Sequence, residues 1–372
     1  MKAAFLICVT YAVMGVIFAP GLHALIALEF ILISSLPLLV AALYEPGSGE
    51  NVHPVPGPLL FWGIFALGIM NLAIIAAGVD KSPAEILSAD GFISIAAAST
   101  VKRYIDQGSS GHPVILALSL FLIYRLGAAD TAVSAWRKIL GFVPLVLYSL
   151  LTTEKWAMFL SGVFFLSGLF ISRPFLEARR AAVRYVTLFM ILGGGMAGLA
   201  VMLRGFDGNL MELLMPLLHY IFAPFPALGS WLTEGAAPQN WSFGALTFIG
   251  PLDALGFVYR EAGVHTDNFI IYGMETNIYT AWRYLVQDYS LIGPFLLNLA
   301  LMLPYIVFCR IRWRAASLAI GGFAVFSAFL SLNVTPFVHN STAFAMLLAL
   351  AYSVITVHFS NYGLYPIAHE QS

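Results

Sequence analysis

The residues of this chain best suited to chemistry are arginines set among aromatic and hydroxyl side chains. If 276–288 is helical, Thr276, Tyr279 and Arg283 share one stripe at i, i+3 and i+7 spacing. A guanidinium fork with hydroxyls on its own face suits a phosphate or pyrophosphate held at a membrane edge. Trp282 and Tyr284 flank Arg283, so an arginine that snorkels to the interface within an aromatic belt is the competing reading. Asp288 lies just beyond. Arg260 has His265 five residues on, as a phosphate site or as a solvated loop. Arg204 and Asp207 close an apolar run, where capping and anchoring is the plainer role. Lys102, Arg103 and Tyr104 follow a short apolar segment and suit a membrane-edge anchor or a ligand site. Arg125 sits inside an apolar run (LFLIYRLGAAD), where a charge is costly and needs a partner or a polar cavity. Asp130 is the local partner on offer. His339, in the short turn VTPFVHNST, is either a solvated turn residue or a base or phosphate ligand.

Other chemistries leave no trace. There is no Walker A loop, HExxH, GxSxG or paired DxD motif. Cys8 and Cys309 have no CxxC or CxxH neighbour, so neither a metal nor a redox site is expected.

The elements that must position these residues are membrane helices. Of 372 residues, 60% are hydrophobic and 10% charged, and the mean hydropathy is +0.87. A soluble domain is about one quarter charged. No water-soluble globule of this size could bury so much apolar side chain, so the solvent is lipid. The net charge of −1 indicates no general attraction to nucleic acid. Apolar runs at 3–19, 21–44, 58–79, 114–129, 139–152, 156–172, 185–203, 291–309, 315–333 and 343–359 predict an all-α polytopic protein. With 86–101 undecided, that is about 9–11 spans. The first run lacks a small-residue cleavage pattern and reads as a retained anchor.

The basic clusters RPFLEARRAAVR (173–184), RIRWR (310–314) and Trp136-Arg137-Lys138 belong in the cytoplasm by the positive-inside rule. Two spans separate the first two clusters, which sends 204–290 and the turn 334–342 to the other side. The segment 86–101 carries Asp90 and is short, so it is expected to dip into or lie on the membrane, with Lys2 inside. The chain reads as a single domain, 1–372. In its long loop, LMELLMPLLHYIFAPFPALGSWL predicts amphipathic helix lying along the membrane surface, and ETNIYTAWRYLVQD predicts a second helix. A loop of this length is usually functional.

Segment 242–295 carries a resemblance. The strings SFGALTFIGPLDALGFVYREAG and ETNIYTAWRYLVQDYSLIGPF resemble the Wzy-type O-antigen polymerases, the oligosaccharide repeat unit polymerases. Thr276, Asn277, Tyr279, Thr280 and Arg283 match that family's pattern. Trp282 replaces its usual Phe, and Tyr289-Ser290 departs from its aromatic-Gly after the aspartate. Partial matches are PFPALGSWL, the arginine–tyrosine pair at 103–104, and LLTTEKWAMFL near 150–160.

The resemblance implies a GT-C-like, all-helical glycosyltransferase related to the O-antigen ligases, multi-pass in the inner membrane of a bacterium, with a large periplasmic loop. Its substrate would be undecaprenyl-pyrophosphate-linked oligosaccharide, its surroundings membrane lipid, and a chain-length regulator protein a further partner. No cofactor or metal is implied, so arginines would neutralise the departing pyrophosphate. That assigns Arg283 and Arg260, with Arg103, to the pyrophosphate. Thr276, Asn277 and Tyr279 would order the helix or bind sugar. The base for the acceptor hydroxyl would be His339, His265 or Asp288. A flippase of lipid-linked sugars would spread polar residues through spans of both leaflets, whereas here they gather on one side. A ligase is separated only by the TN-YT--R string. The topology makes the first prediction. A reporter active only in the periplasm is expected to be active fused at Gly235 and silent at Arg180; the reverse would place the loop inside.

Overall fold

A computed structural model describes residues 1–44, 54–106, 111–152, 155–202, 222–233, 242–258, 269–271, 274–276, 280–331 and 335–361. The long helices are α1 (Lys2–Phe18), α2 (Leu22–Ala41), α3 (Pro58–Gly78), α4 (Ala89–Asp106), α5 (Pro113–Ala128), α6 (Ala135–Thr152), α7 (Lys155–Ser172) and α8 (Phe175–Met202). Two short ones follow, α9 (Pro224–Thr233) and α10 (Ile249–Ala254), then strands β1 (Phe269–Ile271) and β2 (Met274–Thr276). The chain ends through α11 (Ala281–Tyr289), α12 (Gly293–Arg310), α13 (Arg314–Leu330) and α14 (Asn340–Asn361). Every apolar run of the sequence is a helix, because a backbone in lipid must satisfy its own hydrogen bonds. Among the described residues, five helices are long and apolar enough to cross a membrane: Leu22–Ala41, Pro58–Gly78, Ala135–Thr152, Gly293–Arg310 and Asn340–His358. Lys2–Phe18, Pro113–Ala128, Trp156–Ser172 and Arg314–Leu330 are apolar but shorter. The molecule is an all-helical polytopic membrane protein, apart from the antiparallel pair β1–β2.

The single domain expected from the sequence divides into two compact units. One comprises 1–50, 208–343 and 350–372; the other, 51–207 with 344–349.

In the first unit α1, α2 and α9 pack together, α12 lies on α2, and α13 packs on α1 and α12. Two ends can be distinguished. At one, Arg310 at the close of α12 donates to the Tyr44 hydroxyl (3.3 Å) and lies over its ring. At the other, α9 meets the start of α2. There Gly229 lies so close to His23 that an added Cβ would stand 1.8 Å from the His23 carbonyl oxygen, so no larger residue fits. Every residue from Pro224 to Trp231 is buried. The part of 210–232 that is described is therefore packed against α2 and α1 within the unit. Its alternation of small and aromatic residues serves a close helix contact; 203–221 lie outside the described residues.

In the second unit α5 packs closely on α7, and α3 packs on α5 and α6. Helix α4 is not among those apolar enough to cross a membrane. Its Ile95 and Ser99 are buried, Ile95 in a core with Leu72, Ile75, Tyr148 and Leu151. Lys102 donates to the Gly78 carbonyl that closes α3, an anchoring role. The pairing of Arg125 with Asp130 does not form. Arg125 donates to the Pro54 carbonyl (2.9 Å). Asp130 instead receives Lys138, Tyr185 and Arg173, the last at 2.9 Å. Asp130 lies in the turn beyond the end of α5, and its partners come from α6, α8 and the turn before it.

Candidate functional site

The site is built on α11, at the end of the first unit away from Arg310. The helix is shorter than the sequence implies. Met274–Thr276 is a strand paired with Phe269–Ile271, with Thr276 opposite Phe269. Thr280 is extended (φ −78°, ψ 160°) and caps a helix that begins at Ala281. The single helical stripe of Thr276, Tyr279 and Arg283 is thereby overturned. β-branched residues at 276, 278 and 280 favour extended backbone, and a strand partner is at hand.

On α11, Arg283 is 3% exposed. Its guanidinium carbon lies 4.9 Å from the Trp231 ring centroid, a cation–π contact with α9. A snorkelling anchor would reach water; this arginine is enclosed. Asp288 is fully buried, and its two carboxylate oxygens accept the backbone N–H groups of Leu246 (3.1 Å) and Thr247 (2.6 Å). Both oxygens are engaged by backbone, so Asp288 positions the 242–248 turn. The same turn accepts from Thr335, whose hydroxyl donates to the Thr247 carbonyl (2.7 Å). Gly250 N–H donates to the Phe337 carbonyl (3.1 Å), and Ala281 N–H to that of Ser331 (2.9 Å). Gly244 has φ +93°, and a Cβ there would meet the Tyr289 hydroxyl at 2.6 Å. Burial, and then the Asp288 carboxylate, raise the Tyr289 phenol above its ordinary value.

These interactions bring α11, the 242–248 turn and the turn carrying His339 around one cavity of about 80 Å³. Thr247, Trp282, Leu285, Ser327 and Phe337 are among its walls. The hydroxyls of Thr247 and Ser327 are buried with no hydrogen-bond partner among the described residues, places for a water or a ligand oxygen. His339 is half-buried, and its carbonyl accepts from Ala343 at the start of α14 (3.0 Å).

Of the residues singled out from sequence, the structure links Asp288 to the His339 turn through the 242–248 turn; Arg283, five residues earlier on the same helix, turns instead to Trp231. Thr276 lies on β2, and Arg103 on α4 in the other unit; the side chains of both lie outside what is described. Arg260, His265, Asn277 and Tyr279 lie outside the described residues. Sequence reasoning missed Trp231 as the ring against Arg283. The two are 52 residues apart, and no local pattern announces that contact.

Ser290 stands where the backbone takes a conformation suited to glycine. It closes α11 at φ 68°, ψ 178°, a region that is nearly glycine's alone and costs other residues on the order of 1–3 kcal/mol. Glycine returns about 0.5–1 kcal/mol of that in chain entropy. Ser290→Gly is expected to stabilise the protein by about 1 kcal/mol, read as a higher melting temperature in detergent. An unchanged or lower value would show that the serine is unstrained.

The chain has no match among family models, curated proteins or solved structures. Its fold and its site therefore have to speak for its function.

Proposed function

We propose that this protein polymerises undecaprenyl-pyrophosphate-linked oligosaccharide repeats at the outer face of a bacterial inner membrane. The observation that carries the reading is Arg283, a buried guanidinium against the Trp231 ring on a helix whose Trp282 and Leu285 line a cavity, at the end of its unit opposite Arg310 and Arg314. Buried charge is retained where it has work to do. In the reaction, the bond from the growing glycan's anomeric carbon to the pyrophosphate oxygen breaks. A bond from that carbon to a hydroxyl of the incoming lipid-linked repeat forms. The hydroxyl proton passes to a base, and the carrier leaves as its pyrophosphate. Arg283 stabilises charge on the leaving group, and the Trp231 ring and α9 hold the guanidinium in place. Asp288 braces the turn opposite. Arg260 supplies further charge, and a chain-length regulator acts on the assembled enzyme.

The test is the glycan ladder of cells lacking the protein. Collapse to one repeat per core supports a polymerase, whereas loss of all capped core points to a ligase or flippase. His339 is the proposed base, since Asp288 is committed to the backbone. His339→Ala is expected to lose polymer while the protein still accumulates in the membrane. A normal ladder in that variant would make His339 a plain turn residue.

A further inference from the structure

Helix α2 carries a carboxylate where none is expected. Its buried face is Ala24, Ala27, Ile31, Ser34 and Leu38, turned to α1, α9 and α12. The opposite stripe is exposed: Leu22, Leu25, Ile33, Leu36 and Val40 are 69%, 51%, 51%, 46% and 46% accessible. Glu29 stands in the middle of that stripe and is itself exposed. At a rise of 1.5 Å per residue it lies roughly 10 Å in from Leu22, the end of α2 that meets Gly229 of α9. Among the described residues no ion pair or hydrogen bond reaches its carboxylate. No residue of 24–36 other than Glu29 is charged, so its own helix offers no counter-ion. A carboxylate facing hydrocarbon costs a few kcal/mol in a spanning helix and persists where it has a polar partner.

We infer that the outward stripe of α2 is a docking face for a transmembrane helix of another protein, one that presents a lysine or arginine at the depth of Glu29. Charge complementarity chooses the occupant. Among the described residues a second copy of this chain offers no such cation within an apolar run: Arg125 is buried, and the exposed Arg184 precedes the apolar run of α8. A lipid tail would cover the leucines and leave the carboxylate in hydrocarbon. A basic helix satisfies both, because an interhelical polar pair adds to van der Waals packing along the stripe. The proposal does not rest on the polymerase reading, since it uses nothing of the Arg283 site.

The experiment places a photo-crosslinking phenylalanine at Leu25 or Ile33 of the full-length protein in its native membranes, with Leu303 on α12 as an exposed control. Adducts are expected from 25 and 33 but not from 303. Their mass should differ from twice that of the chain, and the attached peptide should come from a spanning helix bearing lysine or arginine. Glu29→Gln, a change on an exposed face, is expected to lower adduct yield on the order of tenfold at unchanged protein level. Glu29→Lys paired with Glu at the partner's basic position should restore it. Adducts only of the chain with itself would overturn the proposal in favour of a second copy. Absence of adducts, or a yield indifferent to Glu29→Gln and to the charge swap, would overturn it in favour of lipid.

Discussion

Arg283→Lys is expected to leave a protein that inserts normally and makes almost no polymer. Lysine keeps the charge and the reach to an interface, so an anchoring arginine tolerates the exchange. It does not keep the planar fork that grips pyrophosphate at two points, nor the flat face that lies on Trp231. Losing a group that stabilises a leaving group costs about 3–4 kcal/mol, or on the order of 10²–10³ in rate. The measurement is polymer formed from lipid-linked repeats by membranes holding equal amounts of each protein. Near-normal chain length and rate in the lysine variant would remove Arg283 from the chemistry. Arg283→Ala is the weaker test, since emptying a buried position beside Trp231 disturbs packing as well.

Asp288→Ala is expected to damage folding before it damages catalysis. The carboxylate accepts two backbone N–H groups inside the protein. Without it both donors are buried with no acceptor, at about 1–3 kcal/mol each. A loss of roughly 2–6 kcal/mol is a large share of the roughly 5–15 kcal/mol that holds a typical domain folded. Asp288→Asn retains one acceptor and sets an amide N–H against the other donor, so an intermediate loss is expected. The readouts are melting temperature in detergent and steady-state level in the membrane. An asparagine variant that melts like the parent yet makes no polymer would return Asp288 to the role of base.

Much of the architecture was legible in the sequence because the bilayer imposes it locally. A stretch of apolar residues in lipid has to be helical, whatever it later packs against, so each predicted run appears as a helix, and the more polar α4 is not among the helices apolar enough to cross. Arg283 was legible too, since a charge among aromatics in so apolar a chain stands out by type. What the tertiary structure alone decided is which partners each charge meets. The helix predicted through 276–288 gives way at its start to a strand, because β1 supplies hydrogen bonds that propensity alone could not foresee. Asp288 reads from sequence as a free acid and is in fact the acceptor for a turn more than 40 positions earlier. Arg125 and Asp130, close in sequence, turn to different neighbours, and Trp231 reaches Arg283 across the long loop. Hydropathy is a property of a segment and survives in the one-dimensional string. Hydrogen bonds and ring contacts between distant segments exist only once packing has brought their atoms within a few ångströms.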